Sequence, residues 1–379
     1  MNPQSCRFCN QSLVSFCDLG QSPLANSFLK KDQLQAEEIF YPLHAYICEK
    51  CLLVQLDEFE SPNKIFSDYA YFSSYSKTWL KHCQDYTNQI TSRFKIDSNK
   101  KVIEIASNDG YLLKYFKNKN IPVLGIEPSE NVANVAESSG IKTVKSFFNS
   151  KLAHKLAENG EQPDLIICNN VLAHVPSLND FVEGLKILLK PKGVITLEFP
   201  SLMKLIEQNQ FDTIYHEHFS YFSLLTAEKI FLHHRLALFD VDELDTHGGS
   251  LRIYVKHQEN SENHSNKNLS RVKLIEKNKG LDKLHFYHNF MQQVKEIKRK
   301  LHDLLYEKKR QGNSIVAYGA PAKGNTLLNF CEIGADLIEY TVDLNPQKQG
   351  SFLPGTHIPI LHPDKIKDTK PDYVLILPW

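Results

Sequence analysis

The sequence predicts an α/β protein built in three parts: a small cysteine-bound subdomain first, a central unit around a buried parallel sheet, then a smaller α/β unit. Three observations carry this. Two Cys-x-x-Cys pairs, Cys6/Cys9 and Cys48/Cys51, lie within the first 51 residues. From Lys101, strand-like apolar runs at 102–105, 123–126, 165–168 and 194–197 alternate with amphipathic segments, the rhythm of βαβ units. The same rhythm restarts at Ser314, after a highly charged stretch. The boundaries expected are 1–68, 69–256 and 257–379.

The chain of 379 residues is long for one core, which agrees with several domains. Lys plus Arg and Asp plus Glu both total 44 with no long block of either sign, so no electrostatic footprint for nucleic acid or an anionic membrane is present. The run Met1–Cys6 is not a basic region leading into an apolar one, and no stretch of about 18 apolar residues occurs. A soluble, cytoplasmic protein that recognises any partner locally is expected, with the oligomeric state left open, a monomer included.

In the first part, each Cys-x-x-Cys lets two thiolates converge from one tight turn. Together Cys6, Cys9, Cys48 and Cys51 offer the closed four-sulfur set that suits Zn²⁺ and leaves no position for a reacting water. The zinc is therefore expected to be structural, tying down a segment whose apolar content (Leu13, Val14, Phe16, Leu19) is thin. The 38 residues between the pairs must hold a hairpin or small subdomain around Phe40–Ile47. Cys17, Cys83, Cys168 and Cys331 lack such partners and read as buried thiols.

In the central part, the run 102–105 leads into the turn Glu104-Ile105-Ala106-Ser107-Asn108-Asp109-Gly110, and open α/β sheets bind ligands at this end of their strands. A dinucleotide site would carry Gly-x-Gly-x-x-Gly to bring pyrophosphate to a helix amino terminus. One glycine and two carboxylates suit phosphate poorly and a cation well. S-adenosylmethionine, with its sulfonium and amino group, fits Glu104 and Asp109. Glu127, followed by Pro128 and 23 residues after Glu104, stands where an acid accepts adenosine ribose hydroxyls. Capping by Asp109 and a solvated strand end at Glu127 are the plain alternatives.

The run Ile167-Cys168-Asn169-Asn170-Val171-Leu172-Ala173-His174-Val175-Pro176, followed by Leu185–Leu189 and Lys190-Pro191-Lys192-Gly193-Val194, resembles the fourth strand, helix and fifth strand of class I, Rossmann-like methyltransferases. This implies cofactor contacts at Asn169 and Asn170. Beyond it, Tyr215-His216-Glu217-His218 resembles the signature of the deoxysugar C-methyltransferases, which act on dTDP-linked 4-keto sugars. The resemblance extends through the cysteine pairs, Leu19–Asn26, Tyr69–Ser74, Thr246–Arg252 and Tyr318–Gly324.

Membership of that family implies removal of a proton next to the ketone and attack of the resulting enolate on the cofactor's methyl group. A carbon acid needs a base with a pKa near working pH, and His218, oriented or charged by Glu217, is the candidate. Tyr215 and one of Tyr69 and Tyr71 are the candidate enolate donors. His216 reads as a packed side chain, and the His-x-His does not match the His-Glu-x-x-His of zinc proteases. Glu198, at the fifth strand's end, and His247, beside two glycines, are expected near the sugar.

In the third part, 257–312 reads as a connector and a long surface helix, and Ser314–Asp343 as half of a nucleotide-binding topology. The turn Gly319–Gly324 could offer amides and Lys323 to a pyrophosphate, with Tyr318 beside it. Family members continue through another helix and strand after Tyr373–Trp379, so the sequence is expected to stop inside this domain. Rival functions are an O- or N-methyltransferase, a zinc-knuckle protein without catalysis, and an NAD-linked sugar oxidoreductase motivated by Gly319 and Asp343.

Overall fold

The burial pattern of β1 (Leu13–Ser22) breaks step where its register shifts, with Phe16 and Cys17 both buried, and the irregularities after Ser15 and Asp18 lie opposite an antiparallel partner, β2 (Tyr41–Cys48). This is the hairpin expected between the cysteine pairs. The wholly buried β3 (Val54–Leu56) lies on the other side of β2. The computed structural model describes residues 5–61, 73–262 and 265–378, so Tyr69 and Tyr71 lie outside the described residues.

The helix Lys77–Arg93 starts at Ser76, whose hydroxyl accepts from the Trp79 amide at 3.3 Å, and buries Cys83, Tyr86, Thr87 and Ile90, which share one face at helical spacing. Four buried parallel strands follow: β4 (Val102–Ile105), β5 (Val123–Ile126), β7 (Leu165–Asn169) and β8 (Val194–Pro200), with the short β6 (Thr143–Val144) at one edge. The next strand, β9 (Ser220–Tyr221), leaves this sheet and pairs with β3 as the fourth strand of the N-terminal sheet. The chain then returns through β10 (Leu236–Leu244) and β11 (Ser250–His257), giving a seven-stranded sheet of order β6-β5-β4-β7-β8-β11-β10 in which β11 is antiparallel to both neighbours. Being apolar on both faces, the central strands need helices on both sides.

The expected connector contains a helix, Lys267–Lys279, before the long helix Phe290–Arg310. Only Leu269, Val272 and Glu276 of the former are buried, so its apolar stripe is too thin to read in a charged sequence. The last sheet, in order β14-β13-β12-β15, comprises β12 (Ile315–Tyr318), β13 (Thr341–Val342), β14 (Ile360–Leu361) and β15 (Tyr373–Ile376). All three pairings are parallel.

The three parts do not keep separate cores. Phe16 on β1 stacks on Phe290 at 4.9 Å, and one apolar cluster runs from Leu43 and Ile47 through Val294 to Ile315 and Leu377. Cys6, Cys48 and Cys51 pack instead with the central core. Among the described residues no helix is long and apolar enough to cross a membrane.

Candidate active site and metal centre

The four cysteine sulfurs lie within 4.8 Å of one another, with 3.5 Å between those of Cys6 and Cys51 and between those of Cys9 and Cys48. Tetrahedral zinc with 2.3 Å bonds places its sulfurs about 3.8 Å apart, so the set fits. Each knuckle closes with a residue in the left-handed region just after its second cysteine, Asn10 (φ 57°) and Leu52 (φ 64°). Within the second knuckle the Cys51 amide donates to the Cys48 sulfur at 3.5 Å. The other four cysteines are buried, as expected.

At the carboxyl end of β4, Ala106, Asn108 and Gly110 all take positive φ (56°, 49° and 77°). The turn thus has the backbone of a three-glycine loop with one glycine in it. Gly110 also has no room for a side chain, since a Cβ would stand 2.5 Å from Ile141 Cδ1. Glu127 fixes the turn from β5: its carboxylate accepts from the Asn108 and Ser129 amides, both at 2.9 Å, ahead of Pro128. Two of its lone-pair positions remain. Asp109 accepts from the Ser74 amide at 3.2 Å through one oxygen.

Burial, with Asp109 and Glu127 close by, pushes the Glu104 carboxyl well above the usual range against the Tyr111 hydroxyl, and burial raises Glu127 too. Three acids so crowded favour a cation. The second oxygen of Asp109, the Ser107 hydroxyl and both amide atoms of Asn169 are buried without hydrogen-bond partners among the described residues. Buried polar atoms are normally paired. A ligand with a positive charge, an amino group and hydroxyls fits them, and S-adenosylmethionine is such a ligand.

The Tyr215–His218 run follows a 3₁₀ turn at Phe211–Thr213 and leads through Phe219 into β9. His218 is buried and its two nitrogens face different partners. Nδ1 donates to the Thr213 carbonyl at 2.9 Å, and Nε2 accepts from the Tyr215 hydroxyl at 2.9 Å. Contact with a carbonyl oxygen fixes the proton on Nδ1. Burial, reinforced by His174 and Lys323, pushes the ring well below the usual histidine range, so it is neutral with Nε2 as its basic atom.

Glu217 does not orient His218 as expected. It points away to accept from Asn26 Nδ2 at 2.6 Å, so the Thr213 carbonyl performs that task. Burial raises Glu217 to about 7, against Asn26 and Lys348. His216 packs as expected, Nε2 donating to the Pro42 carbonyl at 3.2 Å beside Tyr41 and Phe59.

On the opposite wall, Glu198 of β8 stands directly across from Arg252 of β11 and forms an ion pair with it while also receiving His82 Nε2 at 3.0 Å. Those partners hold its carboxyl low despite burial. With both oxygens occupied and the side chain fully buried, Glu198 buttresses Arg252 and His82 instead of meeting a sugar. His247 takes φ 54° in the turn before β11, lies 3.3 Å from Asn170 Nδ2 and sits 5.6 Å from the Trp79 ring, which stacks on His82.

The C-terminal unit reaches this place through the helix Ala322–Phe330. Thr326 donates to the Ile214 carbonyl at 3.2 Å, and Phe330 meets Phe211 at 5.2 Å. Lys323, on the same helix, is mostly buried; its charge acts on Asp212, His218 and His247. The turn before it is partly spoken for. The Gly319 amide donates to Val342 and the Ala320 amide to Asp343, both at 2.7 Å, so these cannot face a pyrophosphate as expected. Tyr318, 36% exposed, ends β12 next to them.

Sequence reasoning did not single out His174, whose ring lies 4.7 Å from His218 and whose Nδ1 donates to the Glu217 carbonyl at 2.8 Å. Its signal is a lone imidazole in an apolar run just after a buried strand. Asn26, Trp79, His82 and Lys348 carry no comparable signal, because their partners come from distant segments.

Three family models match the chain: a zinc binding domain over 6–66, a methyltransferase domain over 79–240 and a C-methyltransferase C-terminal domain over 245–379. Among curated proteins the chain is similar to C-methyltransferase NovU of Streptomyces niveus, at 30% identity over 378 residues that span 99% of this chain and 89% of that protein. A ubiquinone biosynthesis O-methyltransferase of Pasteurella multocida is 30% identical over 110 residues, 26% of this chain and 45% of its own. Among solved structures, an S-adenosylmethionine-dependent methyltransferase from Clostridium acetobutylicum covers 47% of this chain and 92% of its own, with a TM-score of 0.38 and 14% identity.

Proposed function

The chain belongs to the C-methyltransferase family and is an S-adenosylmethionine-dependent enzyme, and from that premise we propose that its acceptor is a nucleotide-linked 4-keto-deoxysugar, dTDP-linked as the sequence resemblance implies. In this reading residues 1–68 hold the zinc, 69–256 the cofactor and the chemistry, and 257–379 part of the nucleotide.

The observation that carries the reading is the His218–Tyr215 pair. A neutral imidazole whose Nδ1–H is held by a carbonyl has one basic atom, Nε2, and that atom shares a proton with a phenol. With substrate present the Tyr215 hydroxyl turns from Nε2 to the ketone oxygen, and the freed Nε2 lone pair takes the proton from the carbon next to the ketone, whose C–H electron pair becomes the enolate. Nε2 is now a donor to the Tyr215 oxygen, whose own hydrogen stays turned to the enolate oxygen. Tyr69 or Tyr71 supplies a second donor. Glu104, Ala106, Ser107, Asn108, Asp109, Gly110, Glu127, Pro128, Asn169 and Asn170 hold the cofactor. When bound, S-adenosylmethionine supplies the methyl group to the enolate carbon. His247 and Lys323 border the sugar and its phosphates; Glu198 and Glu217 act as supports.

The test is transfer from methyl-labelled S-adenosylmethionine to a panel of nucleotide 4-keto-6-deoxysugars, with the methylated carbon located by NMR. His218→Ala is expected to lower turnover at least a hundredfold, the scale of a lost general base, with S-adenosylhomocysteine affinity unchanged. Little loss would remove His218 as the base, and no transfer to any panel member would move the acceptor outside this class.

A further inference from the structure

Arg7 lies between Cys6 and Cys9, yet its side chain leaves the knuckle. The guanidinium donates to the Pro176 carbonyl at 3.1 Å and to the Leu56 carbonyl, and stands 5.6 Å from the Phe219 ring centre. Its own amide donates to the side-chain carbonyl of the buried Gln55 at 2.9 Å. Each of these positions adjoins the chemistry. Pro176 is two residues past His174, and Phe219 follows His218. Leu56 ends β3, the strand on which β9 is hung, its amide donating to the Phe219 carbonyl at 3.0 Å. The Phe219 amide in turn donates to the Ala173 carbonyl at 2.8 Å, so the two histidine-bearing segments are joined through their backbones, and Arg7 contacts both, at Pro176 and at Phe219.

We propose that Arg7 is a positioning residue: it carries the rigidity of the zinc knuckle to the segments bearing His174 and His218 and so fixes the hydrogen bond that holds the His218 ring. A planar fork satisfies two carbonyls in fixed directions, which a lysine ammonium on the same stem does not. Zinc thereby serves turnover from outside the reaction. The knuckle sets the start of the side chain, and the fork sets the loops. A displacement of about 1 Å at a reacting group costs about a hundredfold in rate.

The inference rests on His218 being the base, but it is testable without substrate. In ¹⁵N-histidine-labelled protein, the ring signal lost in His218→Ala reports that residue's tautomer. The wild type is expected to show Nδ1 protonated and Nε2 bare. In Arg7→Lys the signal should move towards a mixture of tautomers while zinc stays at one per chain and S-adenosylhomocysteine affinity is unchanged. Turnover should fall about a hundredfold at an unchanged KM for the cofactor. Arg7→Gln, which keeps an amide donor, serves if the lysine variant does not fold. An unmoved His218 signal would overturn the proposal, as would loss of zinc or of cofactor-product binding in both variants. An enzyme inactive on every sugar would sink the acceptor assignment and leave the spectrum to decide this one.

Discussion

At the scale of single residues, the buried groups around His218 run against the usual charge states. Burial lowers His174 and His247 to about 4 and raises Glu217 to about 7. These shifts oppose each other in pH. The histidines are neutral in the folded protein where the unfolded chain takes up a proton. Their contribution to stability is therefore full above 6.5 and lost as pH falls through 4. Glu217 keeps a proton that the unfolded chain sheds from 4.5 upward, so its contribution is full below 4.5 and lost as pH rises through 7. That window corresponds to about 3 kcal/mol. Relative to wild type, Glu217→Gln should therefore gain about 1.4 kcal/mol of unfolding free energy per pH unit between those values. Urea melts across the window check this, and parallel profiles would show that Glu217 is ionised in the folded protein.

At the scale of elements, the decisive piece is the turn after β4. Its left-handed residues cost about 1 kcal/mol or more each when they are not glycine. Ala106→Gly should relieve that at φ 56°, offset by the entropy of glycine, for a net gain of about 0.5 kcal/mol with cofactor binding kept. Gly110→Ala adds the same strain and drives a methyl into Ile141, so a loss of about 2 kcal/mol and of S-adenosylhomocysteine binding is expected. Thermal melts with calorimetric titration decide both. The sheet behind this turn was legible because four apolar runs with helical spacing between them admit few other folds. The cysteine knuckles were equally legible, since thiolate pairs have few other uses.

Other elements were not legible, for physical reasons. The strand β9 has two residues, too few for a period, and its partner β3 lies more than 160 positions earlier. The glycine-like backbone at Ala106 and Asn108 leaves no glycine to read. The ion pair of Glu198 with Arg252 and His82 joins three segments, so the carboxylate looked available for a sugar. Glu217 misled through adjacency: Tyr215–His218 is a turn closed by the His218 amide on the Tyr215 carbonyl at 2.9 Å, which sends neighbouring side chains apart, so Glu217 meets Asn26 while His218 meets Thr213.

At the scale of the whole molecule, the three parts of the chain meet at the Tyr215–His218 run. The zinc-bound sheet takes β9 as its edge, the central sheet supplies His174 from the segment after β7, and the C-terminal helix Ala322–Phe330 brings a lysine. Lys323 is mostly buried; burial lowers its pKa and Asp212 raises it. Its charge in turn lowers His218 and His247, after burial in both cases. A mostly buried cation with Asp212 as the carboxylate acting on it is suited to an anionic part of the acceptor. Lys323→Met should therefore act on two observables at once. His247 should titrate above its present value of about 4, because a neighbouring positive charge is gone. The KM for the nucleotide sugar should rise between tenfold and a hundredfold, about the loss of one charged hydrogen bond, while S-adenosylhomocysteine affinity stays constant. A shifted His247 with an unchanged KM would confirm where Lys323 sits and exclude it from phosphate binding, leaving the nucleotide to be held by another face of the C-terminal unit.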